Sequence, residues 1–166
     1  MGHKLTREDI KKMEKEIQYR ISEVRPKALE DVKEARAQGD LSENFEYHAA
    51  KRFKNQNESR IRYLQRTIAN ASILEDSAAD DEVGINKIVG VYYDEDEEED
   101  EFHIVTAMRA DDLNNYITIE SPLGRAMMGH KAGDSIVVHV NDKISYPLTI
   151  RYVKPYDESE DKIKSY

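Results

Sequence analysis

A hydrophobic repeat with helical spacing runs through the first seventy residues. The first run of apolar residues advances in steps of three or four: Ile10, Met13, Ile17, Ile21, Val24, Ala28, Val32 and Ala35. A second run has the same spacing with two polar members: Tyr47, Ala50, Lys54, Asn57, Ile61, Leu64, Ile68 and Ala71. A repeat close to 3.5 residues is typical of a coiled-coil seam. The pattern therefore predicts two long helices that pack against each other.

The break between the two runs predicts a tight turn with its tip at residues 40–44. Gly39 suits the left-handed backbone just past a helix end. Asp40 is a good N-cap for the next helix, and Glu43 would complete a capping box. So short a connection makes the helices antiparallel, with facing residue numbers that sum to about 80 and an arm roughly 45 Å long. Pro26 should bend the first helix or loosen one of its turns.

The pattern changes to strands after residue 76. Residues 77–84 are interpreted as a linker. Short runs rich in Val, Ile, Tyr and Thr then predict strands near residues 85–93, 102–107, 115–120, 135–140 and 146–153. Between the third and fourth of these, Ser121 followed by Pro122 predicts the start of a short helix. Pro147 places the last strand at a sheet edge or a bulge.

These elements give a two-part fold class. We predict an N-terminal antiparallel two-helix coiled coil over residues 1–76 and a C-terminal α+β domain over residues 85–156. Residues 157–166 are expected to form a frayed tail. Charged residues make up 36% of the chain and hydrophobic residues 39%, which favours an elongated part with much solvated surface over one thick core.

Composition excludes several classes of protein. The chain has no cysteine, so disulfides and thiolate metal sites are excluded. The sequence contains no uncharged apolar run of about 18 residues, so no membrane span is expected. Without a recognisable signal peptide, the chain is expected to be cytoplasmic. We also expect a monomer.

The charge is distributed unevenly. Residues 1–76 carry 16 Lys and Arg against 14 Asp and Glu, whereas residues 77–166 carry 9 against 20, which together give the net charge of −9. Between positions 51 and 66, Glu58 is the only acidic residue among six basic ones: Lys51, Arg52, Lys54, Arg60, Arg62 and Arg66. The last three are interpreted as surface residues. The acidic run over residues 94–101 predicts an open, solvated hairpin tip.

The tip carries two candidate metal ligands. Asp40 and Glu43 are three residues apart and can share one helix face. Mg²⁺ usually takes one or two protein carboxylates, with water and phosphate oxygens as its other ligands. The pair could therefore supply part of a magnesium site that a partner completes. A purely structural capping role explains the same spacing.

Two longer motifs resemble those of the Gre family of bacterial transcript-cleavage factors. The first is Ala35 to Ala50, with the sequence ARAQGDLSENFEYHAA. The second is Ser121 to Gly129, with the sequence SPLGRAMMG, followed by Gly133 and Asp134. The similarity extends from about Leu5 to Pro155. The chain differs from the usual family pattern at Phe45, where a small residue is common, and at Arg109, where an acidic residue is common.

The resemblance implies an FKBP-like C-terminal domain and a factor that enters the secondary channel of RNA polymerase to stimulate cleavage of backtracked RNA. It implies that the protein is not an enzyme by itself and binds no cofactor in the absence of the polymerase. Asp40 and Glu43 would share Mg²⁺ with the polymerase, and Ser42 would support them. Lys51, Arg52 and Lys54 would face the 3′ end of the nascent RNA, although a solvated helix face explains them equally well. The residues implied to dock on the polymerase are Ser121, Pro122, Leu123, Gly124 and Arg125.

Two alternatives from other classes remain. One is a channel-binding regulator of the same fold that inhibits the polymerase without promoting cleavage, which an altered tip such as that at Phe45 would favour. The other is a plain coiled-coil scaffold.

Overall fold

The chain forms two compact units. The computed structural model describes residues 2–39, 44–76 and 78–164. One unit comprises residues 1–3 and 10–71, and the other comprises residues 4–9 and 72–166. Segment 4–9 thus joins the C-terminal unit rather than the predicted helical half. It does so through β1 (Lys4–Leu5), which pairs in parallel with β2 (Ser72–Ile73).

Two of the three N-terminal helices form a single interrupted run. The helices are α1 (Arg7–Tyr19), α2 (Arg25–Ala37) and α3 (Phe45–Ala69). A π-helical turn, Arg20–Val24, joins α1 to α2, and the Arg25 amide donates to the Arg20 carbonyl across it. Pro26 lies in the first turn of α2 and has no amide hydrogen to donate. The loosened turn predicted at this proline is confirmed.

The antiparallel pairing of the helices follows the predicted register. Arg20 donates to the Asn57 side chain at 3.0 Å, and the Arg25 guanidinium lies 2.8 Å from the Glu58 carboxylate. Facing residue numbers therefore sum to about 80, as antiparallel pairing around a short connection requires. The seam itself is buried at Met13, Ile17, Ala28, Ala35, Tyr47, Ile61 and Leu64. Asn57 is the buried polar member of the seam and Lys54 is half-buried.

Arg60 is a correction to the sequence interpretation. It was predicted to be a surface residue, but it is buried and its Nε lies 2.8 Å from Glu16 Oε2. Burial alone would raise the pKa of Glu16, yet the hydrogen bonds and charges of Arg60 and Arg20 together lower it. Arg60 lies beside the seam residue Ile61, and its charge has a partner on the other helix that the sequence of α3 alone does not reveal. Arg62 and Arg66 are exposed as predicted.

The start of α3 is a second correction. The helix begins at Phe45 with Asn44 as its N-cap, so the prediction that Asp40 caps it within a capping box with Glu43 is wrong. Asparagine and aspartate are about equally good N-caps, and the local sequence offers both. Asp40, Ser42 and Glu43 themselves lie outside the described residues.

The second unit is built on a five-stranded sheet with the order β5-β4-β3-β7-β6. Its strands are β3 (Lys87–Tyr93), β4 (Glu98–Val105), β5 (Tyr116–Thr118), β6 (Ser135–His139) and β7 (Ser145–Pro155). The β4–β5 pair is parallel and the other pairs are antiparallel. The short helix α4 (Pro122–Met127) packs its buried Met127 into a core with Val89, Val91, Ile104, Val138, Leu148 and Ile150. This is the predicted α+β arrangement.

Pro147 does not mark an edge strand. β7 lies inside the sheet between β3 and β6, so the prediction of a sheet edge is wrong. The proline is tolerated because β3 pairs with β7 only from Thr149 onward, which leaves Pro147 opposite Val137 of β6 alone. The alternative prediction, a bulge in the last strand, is confirmed, because the register of β7 shifts opposite Gly90 and Val91.

Two further segments are more ordered than the sequence predicted. The acidic run was expected to be an open tip, but its second half belongs to β4, where Glu98 pairs with Tyr93. Backbone pairing with β3 extends the hairpin beyond the core, and the carboxylates along this part of β4 are exposed. The expected frayed tail is also wrong as far as residue 164, because Glu158–Glu160 forms a 3-10 turn and the Lys164 amide donates to the Met108 carbonyl.

Candidate functional site

The side chain of Asn44 connects the two helix ends that flank residues 40–43. Its Oδ1 accepts a 3.0 Å hydrogen bond from the Tyr47 amide, which caps α3. Its Nδ2 donates a 2.6 Å hydrogen bond to the carbonyl of Ala35 in the last turn of α2. Both amide atoms of one side chain are therefore used, one for each helix. The connection from Gln38 to Asn44 starts and ends on fixed backbone.

Gly39 supplies the backbone geometry at the other end of that connection. The C-cap of α2 is Gln38, whose amide donates to the Ala35 carbonyl. Gly39 follows with φ of +138°, which is in the region that side chains rarely adopt. Only glycine reaches such a conformation without strain. The sequence prediction of glycine just past this helix is confirmed.

Replacing Asn44 with Ala is expected to destabilise the helical unit. The variant loses the cap and the bond to Ala35, so the free energy of unfolding should fall by about 0.5–2 kcal/mol. Asn44→Ser is the matched control because serine caps helices about as well but has no amide to reach Ala35. Urea denaturation followed by circular dichroism measures both. Equal stability of Asn44→Ala and the parent protein would show that the two hydrogen bonds contribute nothing.

A cluster of cations surrounds Tyr47 one turn into α3. The Arg36 guanidinium lies 5.5 Å from the centre of the Tyr47 ring, and the Lys51 ammonium lies 6.0 Å from it. Arg36 also donates to the phenol oxygen at 3.4 Å. This hydrogen bond lowers the pKa of Tyr47; burial opposes the shift, and the charges of Lys51, Arg36 and Lys54 add to it. Arg36 and Lys51 are therefore the cations nearest to Tyr47 among the contacts of the described residues.

The three predicted basic-patch residues differ in exposure. Lys51 and Arg52 are exposed, whereas Lys54 is half-buried at the seam. Lys51 and Arg52 are accessible to an anionic partner on the α3 surface. Lys54 is less accessible because it is half-buried.

Four of the five predicted docking residues are at least partly exposed around α4, whereas Gly124 is buried. Ser121 caps this helix by accepting from the Gly124 amide at 3.0 Å and donates its hydroxyl hydrogen to the Thr118 carbonyl at 2.8 Å. A Cβ on Gly124 would lie 2.0 Å from the Thr118 oxygen, so glycine is required for packing there. Pro122 and Leu123 are half-buried, and Arg125 is exposed. Arg125 is thus the accessible charge of this surface.

A buried arginine cluster in the second unit escaped sequence reasoning. Arg109 has a fully buried side chain whose Nε lies 2.7 Å from Asp9 Oδ1. Its other nitrogens lie 2.9 Å from Glu158 and 3.0 Å from Asp161. The Thr106 hydroxyl donates to the second oxygen of Asp9 at 2.6 Å. The unusual arginine at this position was the one signal in the sequence, and nothing there identified its partners.

Other kinds of site are not supported by the described parts of the chain. Among residues 2–39, 44–76 and 78–164, no group of three His, Asp or Glu side chains is arranged to hold a metal ion. In the same residues, every helix is too short or too polar to cross a membrane.

Comparison with known proteins identifies the family. Residues 3–73 match the N-terminal domain of GreA/GreB, described as "Transcription elongation factor, N-terminal", and residues 78–155 match "Transcription elongation factor, GreA/GreB, C-term". Transcription elongation factor GreA of Thermoanaerobacter pseudethanolicus is 42% identical over 82% of this chain and 87% of its own length. The protein of that name from Clostridium kluyveri is 44% identical over 85% and 89%. The Thermotoga maritima protein is 40% identical over 81% and 86%.

These matches cover almost the whole described chain and both of its units. The chain belongs to the GreA/GreB family of transcription elongation factors. The resemblance predicted from the two sequence motifs is confirmed.

Proposed function

We propose that this protein stimulates RNA polymerase to hydrolyse its own backtracked RNA, so that arrested transcription can resume. The observation that carries the proposal is the position of Asp40 and Glu43. They lie in the short connection between two antiparallel helices of a chain that belongs to the GreA/GreB family. The Asn44 side chain bonds to both of the helices that this connection joins.

The chemistry of the two tip carboxylates fits a shared magnesium site. Mg²⁺ binds carboxylate oxygens and usually takes only one or two of them from a protein. When bound, such an ion lowers the pKa of a water molecule and stabilises the oxygen displaced from the phosphate. Asp40 and Glu43 would hold and orient this site in the polymerase, and Ser42 would support them. The protein would thus activate the cleavage reaction of the polymerase and not catalyse it alone.

The length of the helical hairpin supports entry into a channel of the polymerase. α3 contains 25 residues, which corresponds to about 37 Å of helix at about 1.5 Å per residue. We infer that the hairpin enters the secondary channel of the polymerase with residues 40–43 first. The surface of Ser121, Pro122, Leu123, Gly124 and Arg125 would dock on the polymerase, with exposed Arg125 as its charged contact. The FKBP-like character of the C-terminal unit and the monomeric state stay predictions.

The exposed cations on α3 would contact the RNA. Lys51 and Arg52 are accessible and Lys54 partly so, and all three raise the positive charge behind the tip. Lysine and arginine bind backbone phosphates without regard to sequence, and salt weakens that attraction. The 3′ end of the nascent RNA is the proposed partner.

Purified polymerase complexes with backtracked RNA test the proposal. RNA labelled at its 3′ end should be released as a short fragment on addition of the protein, and the shortened transcript should be extended again. If this protein instead inhibited the polymerase, it would slow extension without releasing the fragment. That result would overturn the proposal. None of the three relatives named above carries a name that favours inhibition. A coiled-coil scaffold would leave both cleavage and extension unchanged.

A further inference from the structure

Phe45 is unusually exposed for a large apolar side chain. It is the first residue of α3 and is 85% exposed, compared with 51% for Phe53 on the same helix. Burying a phenylalanine side chain normally stabilises a folded protein. In this protein the ring remains in water directly behind residues 40–43. The fold of the helical unit therefore makes little use of it.

An exposed cation shares the helix face of Phe45. Arg52 is exposed and follows Phe45 by seven residues, which is close to two full turns and places both side chains on one face of α3. Arg36 and Lys51 lie 5.5 and 6.0 Å from the ring of Tyr47, which is two residues from Phe45 and does not share its face. Glu46 is exposed next to Phe45. An exposed ring and a cation on one face are the combination with which proteins bind single-stranded nucleic acid, since rings stack on bases and cations attract phosphates.

We propose that Phe45 stacks on an unpaired base of the backtracked RNA, while Arg52 on the same helix face contacts a neighbouring phosphate. This inference rests on the proposed function, because only a hairpin inside the polymerase would meet that RNA. Stacking is tolerant of sequence, since every base has a flat face. The contact would hold the RNA end beside Asp40 and Glu43, which makes Phe45 a positioning residue.

A comparison of protein variants with RNA variants tests the contact through cleavage. The RNA carries either a base or an abasic ribose at each unpaired 3′ nucleotide. On base-bearing RNA, Phe45→Ala should require roughly 5- to 100-fold more protein for half-maximal cleavage, in line with the measured strength of base–aromatic stacking. On abasic RNA, Phe45→Ala and the parent protein should be equal.

Three further variants separate stacking from other causes. Phe45→Tyr keeps an aromatic ring and should behave like the parent, whereas Phe45→Leu keeps an apolar side chain and should behave like Phe45→Ala. Phe53→Ala removes a half-exposed phenylalanine from the same helix and should have no base-dependent effect. A defect of Phe45→Ala that persists on abasic RNA would show that Phe45 contacts the polymerase, and the inference would be wrong.

A fluorescence measurement tests stacking without cleavage. 2-Aminopurine placed at the RNA 3′ end loses fluorescence when it stacks on an aromatic ring. The Asp40→Asn/Glu43→Gln protein leaves the RNA intact during the measurement; it should quench this fluorescence, and adding Phe45→Ala should remove the quenching. Quenching without cleavage by the parent protein would contradict the proposed function but keep the contact. If the parent protein cleaves the RNA but the Asp40→Asn/Glu43→Gln protein quenches equally with and without Phe45→Ala, the stacking contact would be wrong and the proposed function would stand.

Discussion

Asp40→Asn combined with Glu43→Gln is expected to lower stimulated RNA cleavage by at least about a hundredfold. The amides keep the size of the carboxylates but not the negative charge that binds Mg²⁺. Changing a residue that only supports a metal ligand typically costs 10- to 100-fold, so losing two ligands should cost at least about the upper end of that range. The measurement is the initial rate of 3′ fragment release from backtracked complexes at saturating protein.

The stability of the same variant separates a loss of metal binding from a loss of folding. Asn44 is the N-cap of α3, so the loss of Asp40 and Glu43 removes no cap from that helix. The variant should therefore unfold at the same urea concentration as the parent protein. Glu30→Gln with Glu34→Gln is the matched control, because it removes two exposed carboxylates from α2. The tip assignment would be refuted by undiminished cleavage in a tip variant that binds polymerase normally.

The spacing of apolar residues predicted the helical unit well, because a short connection between two helices determines which of their residues face each other. Once two runs of apolar residues are joined by a short connection, antiparallel geometry fixes which residues face each other. The pairs of Arg20 with Asn57 and of Arg25 with Glu58 follow that rule. The rule also places Arg60 opposite Glu16, yet composition alone suggested a solvated arginine.

Local competition limited the prediction of the tip. Asp40 and Asn44 are both good N-caps, and the sequence gives no energy that separates them. Asn44 makes a second hydrogen bond that an aspartate could not make, because its side-chain amide donates to the Ala35 carbonyl on the other helix. A capping motif describes the residues at the start of one helix only. It therefore does not predict a hydrogen bond to the neighbouring helix. The consequence is functional, since Asp40 is not needed to start α3.

Distance along the chain limited the prediction of the C-terminal unit. Asp9 lies 100 positions from Arg109 and Asp161 lies 52 positions from it, so no local pattern joins them. The strand that includes Glu98 was shortened for a related reason. Its acidic side chains are all exposed and show no alternation, whereas its backbone pairs with β3 along the whole hairpin. Alternation of apolar and polar residues reveals the buried face of a strand or helix. Neither the Arg109 cluster nor the acidic half of β4 shows such alternation, so the sequence predicted neither of them.

Arg109→Met is expected to lower the free energy of unfolding by about 3–5 kcal/mol, the cost of removing one partner from a buried ion pair. Methionine fills much of the same volume, so the loss comes from charge and hydrogen bonding. Asp9 has a side chain that is only 1% exposed, and it would be left with a buried negative charge. Glu158 and Asp161 are nearer the surface and can regain water.

The double variant Arg109→Met with Asp9→Asn tests the origin of that loss. Asparagine has no charge to leave buried and can still accept from the Thr6 amide and the Thr106 hydroxyl, which both bind Asp9. The double variant should therefore lose less stability than the sum of the two single variants, because the two sites are in contact. Arg125→Met is the control, since this exposed arginine should change stability by no more than about 0.5 kcal/mol. Additive losses in urea denaturation, or a loss no larger than that of Arg125→Met, would mean that the cluster does not stabilise the C-terminal unit through its buried charge pair.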